Sequence, residues 1–222
     1  MRSTSYVPAR PLGDSAVPAL EMPRTVLRWG PLLSRYAGSI PIPFLYAWIS
    51  RESGGRPCTY TYLHEAGIFQ LMPPHNTNEG GTTEAALRSA CIEGTSRAAR
   101  DLTDAENEEQ IRSGVRYVNH ARAYARRHVD WPETSADFWR MVKMVHVAPA
   151  RVKRYAPGSR SWAEFRRRAE AGGDTPKNWL DNAEWVGGYG AGGASGGSLV
   201  TVLALAGVLV AGSAWYFKRR NG

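Results

Sequence analysis

The spacing of apolar residues along the chain predicts a series of helices. Stretches with apolar residues on one helical face begin near Arg24, Pro43, Thr83, Thr103 and Ser135. Thr103 and Glu106 form a capping-box pattern at the start of one of them, and glycine or proline follows several of the others. No alternating strand pattern of useful length occurs, so the pattern predicts a mainly α-helical domain over residues 24–186.

The two ends of the chain differ from this domain. Residues 1–23 are rich in proline and weakly patterned, which predicts a flexible arm without the apolar run of a signal peptide. The basic, tryptophan-containing stretch 159–189 is predicted to be a helical addition that closes the domain. After it, residues 187–197 are so rich in glycine that they predict a flexible linker.

The segment that follows the linker has the composition of a membrane span. Residues 198–217 carry no charge over 20 positions, which is long enough for a helix to cross a bilayer. A buried core helix is as apolar, but Trp215, Tyr216 and the basic tail 218–222 favour a transmembrane helix. The positive-inside rule then predicts a cytoplasmic tail and a domain on the extracytoplasmic side.

The charge of the chain adds little to this picture. The net charge is +8, but the tail supplies three positive charges, which leaves 25 basic against 20 acidic residues. The basic stretches 151–154 and 166–168 are interpreted as solvated helix faces, although lipid headgroups, acidic wall polymers or nucleic acid would also attract them. No nucleic-acid-binding motif accompanies the charge, so we expect no nucleic-acid partner.

The two cysteines and the histidines do not have the spacing of a metal site. Cys58 and Cys91 lie too far apart for a zinc motif, and His64 and Glu65 lack the second histidine of a zinc-protease helix. We therefore expect no metal or other cofactor. The cysteines either form a disulfide or remain two buried thiols, and the sequence leaves both possibilities open.

Glu52 is the residue whose position first indicates chemistry. Leu45, Trp48, Ile49 and Glu52 follow helical spacing, so Glu52 ends the apolar face of a helix that stops at the pair Gly54 and Gly55. Burial disfavours a charged carboxyl, so we expect the pKa of Glu52 to be raised towards that of a general acid. A glutamate in such a place otherwise pairs with a cation or caps a turn.

A second motif contains Gln70, which stands 18 residues after Glu52, and gives this glutamate a context. Residues 67–73 read Gly-Ile-Phe-Gln-Leu-Met-Pro. Together with Glu52-Ser53-Gly-Gly, this stretch resembles the soluble lytic transglycosylases of the lysozyme-like superfamily, whose second motif it matches at five of seven positions. The resemblance implies that Glu52 is the catalytic acid/base, that Ser53 orients it or the substrate, and that Gln70 and Met72 line a glycan groove.

Two further stretches resemble the family more loosely, and the resemblance as a whole covers roughly residues 25–155. In the first stretch, Tyr117 follows three residues at intervals similar to the family's, which are Asn107, Ile111 and Gly114. In the second, residues 144–152 keep the proline, arginine and valine of the family motif but replace its tyrosine and asparagine with Val145 and His146. The resemblance implies that Tyr117 contacts substrate, and His146 either supplies the missing polar contact or is a partly buried histidine without a catalytic role.

The resemblance implies an enzyme that cleaves peptidoglycan at the β-1,4 bond between N-acetylmuramic acid and N-acetylglucosamine. Such enzymes use one glutamate and the muramyl 6-hydroxyl to form a 1,6-anhydro product, whereas water in place of that hydroxyl gives hydrolysis. The alternatives are a non-catalytic membrane anchor that binds peptidoglycan, or a virion-associated lysin with the same chemistry. The expected partners are glycan strands and membrane lipid, and the sequence leaves the oligomeric state open.

Overall fold

The computed structural model describes residues 22–62, 64–72 and 83–194, and within them the protein is mainly helical. No β-strand is formed in these ranges, where the extended pairs are isolated bridges. Nine α-helices and one 3₁₀ helix occur there: α1 Arg24–Leu27, α2 Gly30–Tyr36, α3 Ile42–Ser53, α4 Thr83–Ala90, α5 Asp104–Arg126, α6 Ala136–Val147, α7 Pro149–Tyr155, α8 Trp162–Ala171, α9 Lys177–Gly187 and the 3₁₀ helix Gly188–Ala194. The mainly α-helical class predicted from the sequence is therefore confirmed.

The predicted membrane segment lies outside these residues, as do the linker's last residues, the basic tail and nearly all of the predicted N-terminal arm. Among the helices that the structure does describe, none has both the length and the apolar character of a bilayer-spanning helix.

The helix starts follow the capping signals in the sequence. Thr103 accepts a hydrogen bond from the backbone N–H of Glu106, whose carboxylate accepts one from the Thr103 N–H in return. Ser135 caps α6 by accepting a hydrogen bond from the N–H of Phe138. These side chains satisfy backbone donors that have no partner within a helix, which fixes where α5 and α6 begin. The predicted starts near Thr103 and Ser135 are confirmed.

Helix α6 lies at the centre of the hydrophobic core. It packs against α5, α7, α8 and α9, and its residues from Phe138 to Val145 are buried except for Arg140. A helix that is apolar on nearly all sides is a core helix rather than a surface one. Phe44 of α3 packs on Trp139 of α6 with a ring separation of 4.8 Å, so an aromatic contact joins the two helices.

The C-terminal part of the domain belongs to this same core. Leu180, Ala183 and Val186 of α9 are fully buried, and α9 packs closely on α6. The stretch 159–189 is therefore a structural layer of the domain rather than an addition to it. Glycine permits the closest contact, because a Cβ atom on Gly187 would lie 2.2 Å from the Arg140 backbone nitrogen. The packed part of the domain therefore continues past residue 186, where the composition predicts the start of a linker.

A second, smaller apolar cluster lies under the loop that connects α3 to α4. Cys58 and Cys91 form a disulfide there, packed with the buried residues Tyr60, Ala66, Leu87 and Ala90. Isolated bridges join Tyr60 to Ala66 and to Thr95. Of the two possibilities that the sequence leaves open for the cysteines, the structure has the disulfide, which joins the loop after α3 to the end of α4.

Removing the disulfide should lower stability more than removing two small apolar side chains. The bond closes a sequence separation of 33 residues, so its loss frees the unfolded chain and should destabilise the domain by about 2–4 kcal/mol. Urea unfolding of Cys58→Ala/Cys91→Ala against the parent measures this. Reductant should lower the stability of the parent to that of the double variant and leave the stability of the variant unchanged. Equal stabilities without reductant would contradict the prediction.

Candidate active site

The helix end that carries Glu52 is fixed by contacts from α1 and the turn that follows it. Gly54 and Gly55 both have positive φ angles, of 62° and 76°, which end α3 directly after Ser53. The Thr25 hydroxyl donates a 2.8 Å hydrogen bond to the Gly54 carbonyl, and the Trp29 indole donates one of 3.0 Å to the Gly55 carbonyl. The position of Glu52 is therefore set by these hydrogen bonds to the backbone after α3 as well as by α3 itself.

The Glu52 carboxyl lies at the edge of the core and contacts two side chains of α6. Its side chain is 16% exposed, and Oε1 accepts a short hydrogen bond from Nζ of Lys143. His146 Nε2 lies 3.8 Å from the same oxygen. Lys143 is fully buried, and its ammonium group lies 4.0 Å from the centre of the Trp48 ring. The ammonium therefore has a carboxylate and an aromatic face as neighbours in place of water.

The expected rise in the pKa of Glu52 is wrong for this arrangement. Burial does favour the neutral acid, but the charge of Lys143 and the contact with His146 outweigh it and lower the pKa of Glu52 from 4.5 to about 2. Burial also lowers the pKa of the Lys143 ammonium from its ordinary value of 10.5, against the opposing effect of Glu52. The carboxyl is therefore ionised in this structure at neutral pH.

The rings of Trp48, Tyr117 and His146 pack together beside the contact between Glu52 and Lys143. The His146 ring lies 4.9 Å from the Trp48 ring, and its Nδ1 is 3.3 Å from the hydroxyl of Tyr117. The Tyr117 ring packs edge-on against Trp48, with 6.3 Å between centroids. His146 thus lies beside Glu52, and Tyr117, for which the resemblance implies a substrate contact, lies next to His146.

Ser53 connects the end of α3 to the second motif. Its hydroxyl oxygen lies 2.9 Å from the carbonyl oxygen of Ile68 and 3.2 Å from that of Ile49, and it accepts a hydrogen bond from the Gly55 N–H. The side chain is buried. Ser53 therefore holds the two motifs together by contacting backbone, and its role in orienting Glu52 or the substrate stays a prediction.

Gln70 stabilises the loop that contains it. The residue has a φ of 51° and is 4% exposed, and its Nε2 donates hydrogen bonds to the carbonyls of Thr59 and Gly67 at 2.9 and 2.7 Å. Met72, by contrast, is 47% exposed. The amide of Gln70 is thus turned into the loop in this structure, and the contact of Gln70 and Met72 with glycan stays a prediction.

The second motif also packs on α5, on residues of the looser third stretch. The side-chain oxygen Oε1 of Gln110 accepts a hydrogen bond from the Ile68 N–H at 3.1 Å. The Phe69 ring lies directly over Gly114, where a Cβ atom would come within 2.1 Å of the ring. The carbonyl of Phe69 in turn lies 3.4 Å from the Trp48 indole nitrogen. The three stretches around Glu52, Gln70 and Gly114 therefore form one packed unit.

Sequence reasoning missed Lys143. The residue lies in the apolar run Met-Val-Lys-Met-Val, where helical spacing gives it no more prominence than a solvated lysine. The signal that was present is a single charged residue within the run 141–145, whose other residues are all apolar and predict burial. Within the part of the chain that the structure describes, no group of three His, Cys, Asp or Glu side chains is placed to hold a metal ion.

Comparison with known proteins returns no match for this chain among family models, curated proteins or solved structures.

Adding a methyl group at Gly114 should displace the second motif. The methyl of Gly114→Ala would overlap the Phe69 ring, and overpacking of this kind costs about 1–3 kcal/mol. Gly188→Ala is the matched control, because its added methyl has open space and its φ of −56° suits any residue. Thermal unfolding of both variants tests this; equal melting temperatures would show that Phe69 is not held against α5.

The ion pair should make the domain sensitive to acid in a defined range. The folded-state pKa of Glu52 is depressed to about 2, so its stabilising effect is fully present above its ordinary pKa of 4.5 and is lost as the pH falls through about 2. Relative to Glu52→Gln/Lys143→Met, which has neither charge, the parent should lose unfolding free energy as the pH falls through this range. Urea unfolding at about pH 6, 4 and 3 measures the difference, and a constant difference would contradict the ion pair.

Proposed function

We propose that this protein is a membrane-anchored peptidoglycan lytic transglycosylase with a lysozyme-like domain and Glu52 as its acid/base. It cleaves the β-1,4 bond between N-acetylmuramic acid and N-acetylglucosamine and leaves a 1,6-anhydromuramyl end. Residues 198–217 anchor the domain in a membrane, and the domain lies on the extracytoplasmic side, where peptidoglycan is found. An oxidising environment of that kind is compatible with the Cys58–Cys91 disulfide.

The observation that carries this proposal is the bond between Ser53 and the Ile68 carbonyl. It joins the Glu-Ser motif to the Gly-Ile-Phe-Gln-Leu-Met-Pro motif, which are separate in sequence. The carboxyl beside this junction is mostly buried yet retains 16% exposure, so it is shielded from bulk water but reachable. Tyr117 and His146 flank it with groups that can contact a sugar.

One carboxyl is sufficient for the proposed chemistry because the substrate supplies its own nucleophile. Protonated Glu52 gives its proton to the glycosidic oxygen as the bond to C1 of the muramyl residue breaks. Glu52 then accepts the proton of the muramyl 6-hydroxyl, whose oxygen attacks C1 and closes the anhydro ring. This scheme differs from that of ordinary glycosidases, which place a second carboxylate as nucleophile or base beside the acid.

A second candidate function is non-catalytic binding of glycan by the same domain. The ion pair with Lys143 favours it, because a carboxyl with a pKa of about 2 is ionised at neutral pH and has no proton to give. Such a protein would hold the membrane to the cell wall. The two functions differ in turnover: an enzyme releases soluble muropeptides from sacculi, whereas an anchor binds sacculi and releases none.

Glu52→Gln should abolish release of soluble muropeptides while binding to sacculi persists. The amide keeps the shape of the side chain but cannot transfer the proton, so the rate should fall roughly 100- to 10,000-fold. The assay uses the purified full-length chain and insoluble sacculi, with mass spectrometry of the products. Anhydro ends confirm transglycosylation, and products heavier by one water indicate hydrolysis.

Two further variants separate chemistry from folding in this experiment. Glu52→Gln leaves Lys143 buried without its carboxylate, which costs stability, whereas Glu52→Gln/Lys143→Met removes both charges and should fold well but remain inactive. Glu170→Gln is the matched control, because Glu170 is an exposed carboxylate on α8 that pairs with Arg166. Release near the parent rate by the double variant would overturn the enzyme proposal, as would a parent that binds sacculi but releases nothing.

A further inference from the structure

Lys143 has features that packing alone does not require. Its side chain is fully buried in α6 between apolar neighbours, and its ammonium group lies between the Trp48 ring and the Glu52 carboxylate. Replacing a buried ion pair with apolar groups of similar volume is often neutral or stabilising. A methionine would fill the same space, so the ammonium group itself calls for an explanation.

We propose that Lys143 is a positioning residue that holds the proton used by Glu52, and that it passes this proton to the carboxylate when a glycan strand covers the site. This inference rests on the proposed function and deepens it. It also explains how Glu52, which is ionised before glycan binds, can become the protonated acid that bond cleavage needs.

The physical basis is the difference in hydration between the two members of the pair. Lys143 has no exposed surface, so water reaches the pair through Glu52, which is 16% exposed. A bound sugar removes this water, and in a dry environment a neutral acid and a neutral amine are favoured over two charges. Nζ of Lys143 already donates its hydrogen bond to Oε1, so the proton moves along an existing contact.

The proton is conserved over one turnover. Transfer from Nζ to Oε1 leaves a neutral amine and a neutral carboxylic acid. The acid protonates the glycosidic oxygen as the C1–O bond breaks, and the resulting carboxylate accepts the proton of the attacking 6-hydroxyl. When the product leaves and water returns, the proton moves from Oε1 back to Nζ. No other acid, base or cofactor is consumed.

Other titratable groups near the pair bear on its response to pH. His146 lies 3.8 Å from Glu52 and contacts the Tyr117 hydroxyl. Arg51, next to Glu52 on α3, disfavours the charged form of Lys143, while Glu65 of the loop favours it. The groups that face the pair therefore come from α3, the following loop, α5 and α6: Arg51, Glu65, Tyr117 and His146.

The test is the pH profile of Lys143→Met. In the wild type the pair keeps its shared proton until Lys143 itself deprotonates, so activity should extend to higher pH than Glu52 alone would allow. In Lys143→Met only Glu52 can hold the proton, and activity should fall about tenfold for each pH unit above the pKa of its carboxyl. The variant should therefore remain active in acid and lose activity at alkaline pH, relative to the wild type. The measurement is the rate of muropeptide release at saturating sacculi.

Lys143→Arg tests the transfer itself. Arginine keeps the positive charge beside Glu52 but does not release its proton, so the rate should fall at every pH by roughly 100-fold or more. Lys153→Met, at an exposed position on α7, is the control and should keep the wild-type profile. Thermal unfolding shows which variants are folded; if Lys143→Arg does not fold, the profile of Lys143→Met decides alone.

The outcomes are distinct for this inference and for the proposed function. Profiles of Lys143→Met and wild type that superimpose after scaling would overturn the inference, since a merely structural lysine changes the amount of active protein and not its pH dependence. A folded Lys143→Arg with the wild-type rate would overturn it as well. Release of muropeptides near the parent rate by Glu52→Gln/Lys143→Met would instead contradict the proposed function itself.

Discussion

The contact between Lys143 and Glu52 is the constraint on which the arrangement of the domain depends. Desolvation of a charged amine costs several kcal/mol, so α6 can occupy the centre of the core only if a carboxylate meets it there. That carboxylate comes from α3, which is 91 residues away in sequence. The two helices are thereby held in one register, because a small shift would leave an unpaired charge in an apolar interior.

The described loop residues 64–72 next to this contact form neither helix nor strand, and side chains supply the hydrogen-bond partners that a helix or sheet would supply elsewhere. Ser53, Gln70 and Gln110 each hydrogen-bond to backbone groups of the loop. A buried backbone group without a partner is costly, so these three polar residues make it possible for residues 66–71 to lie against the core. Their burial makes them structural residues of the site, whichever of them also meets a ligand.

Much of the fold could be predicted from the sequence because its signals are local. The caps at Thr103 and Ser135 act within one helical turn, and the apolar face of α3 places Glu52 at its end by spacing alone. Some boundaries were less accurate. The helix predicted from Arg24 is two short helices, Arg24–Leu27 and Gly30–Tyr36, with a break at residues 28 and 29.

The missed features depend on residues that are distant in sequence. Burial of Glu52 could be inferred, but the sign of its pKa shift depends on Lys143, and helical spacing cannot identify a partner on another helix. The stretch 159–189 was predicted as a helical addition that closes the domain, because the family resemblance ends near residue 155. Its buried residues contact α6, and only the packed structure reveals that contact.

The close packing of glycines after α9 has a mechanical consequence. The backbone at Gly187 lies on that of Arg140, and Gly190 lies on the Trp139 ring, so the last described turn of the chain rests directly on α6. Arg140 is one helical turn from Lys143. Tension applied through the C-terminal segment would first load these contacts, and the helix beneath them is the one that carries the buried ammonium.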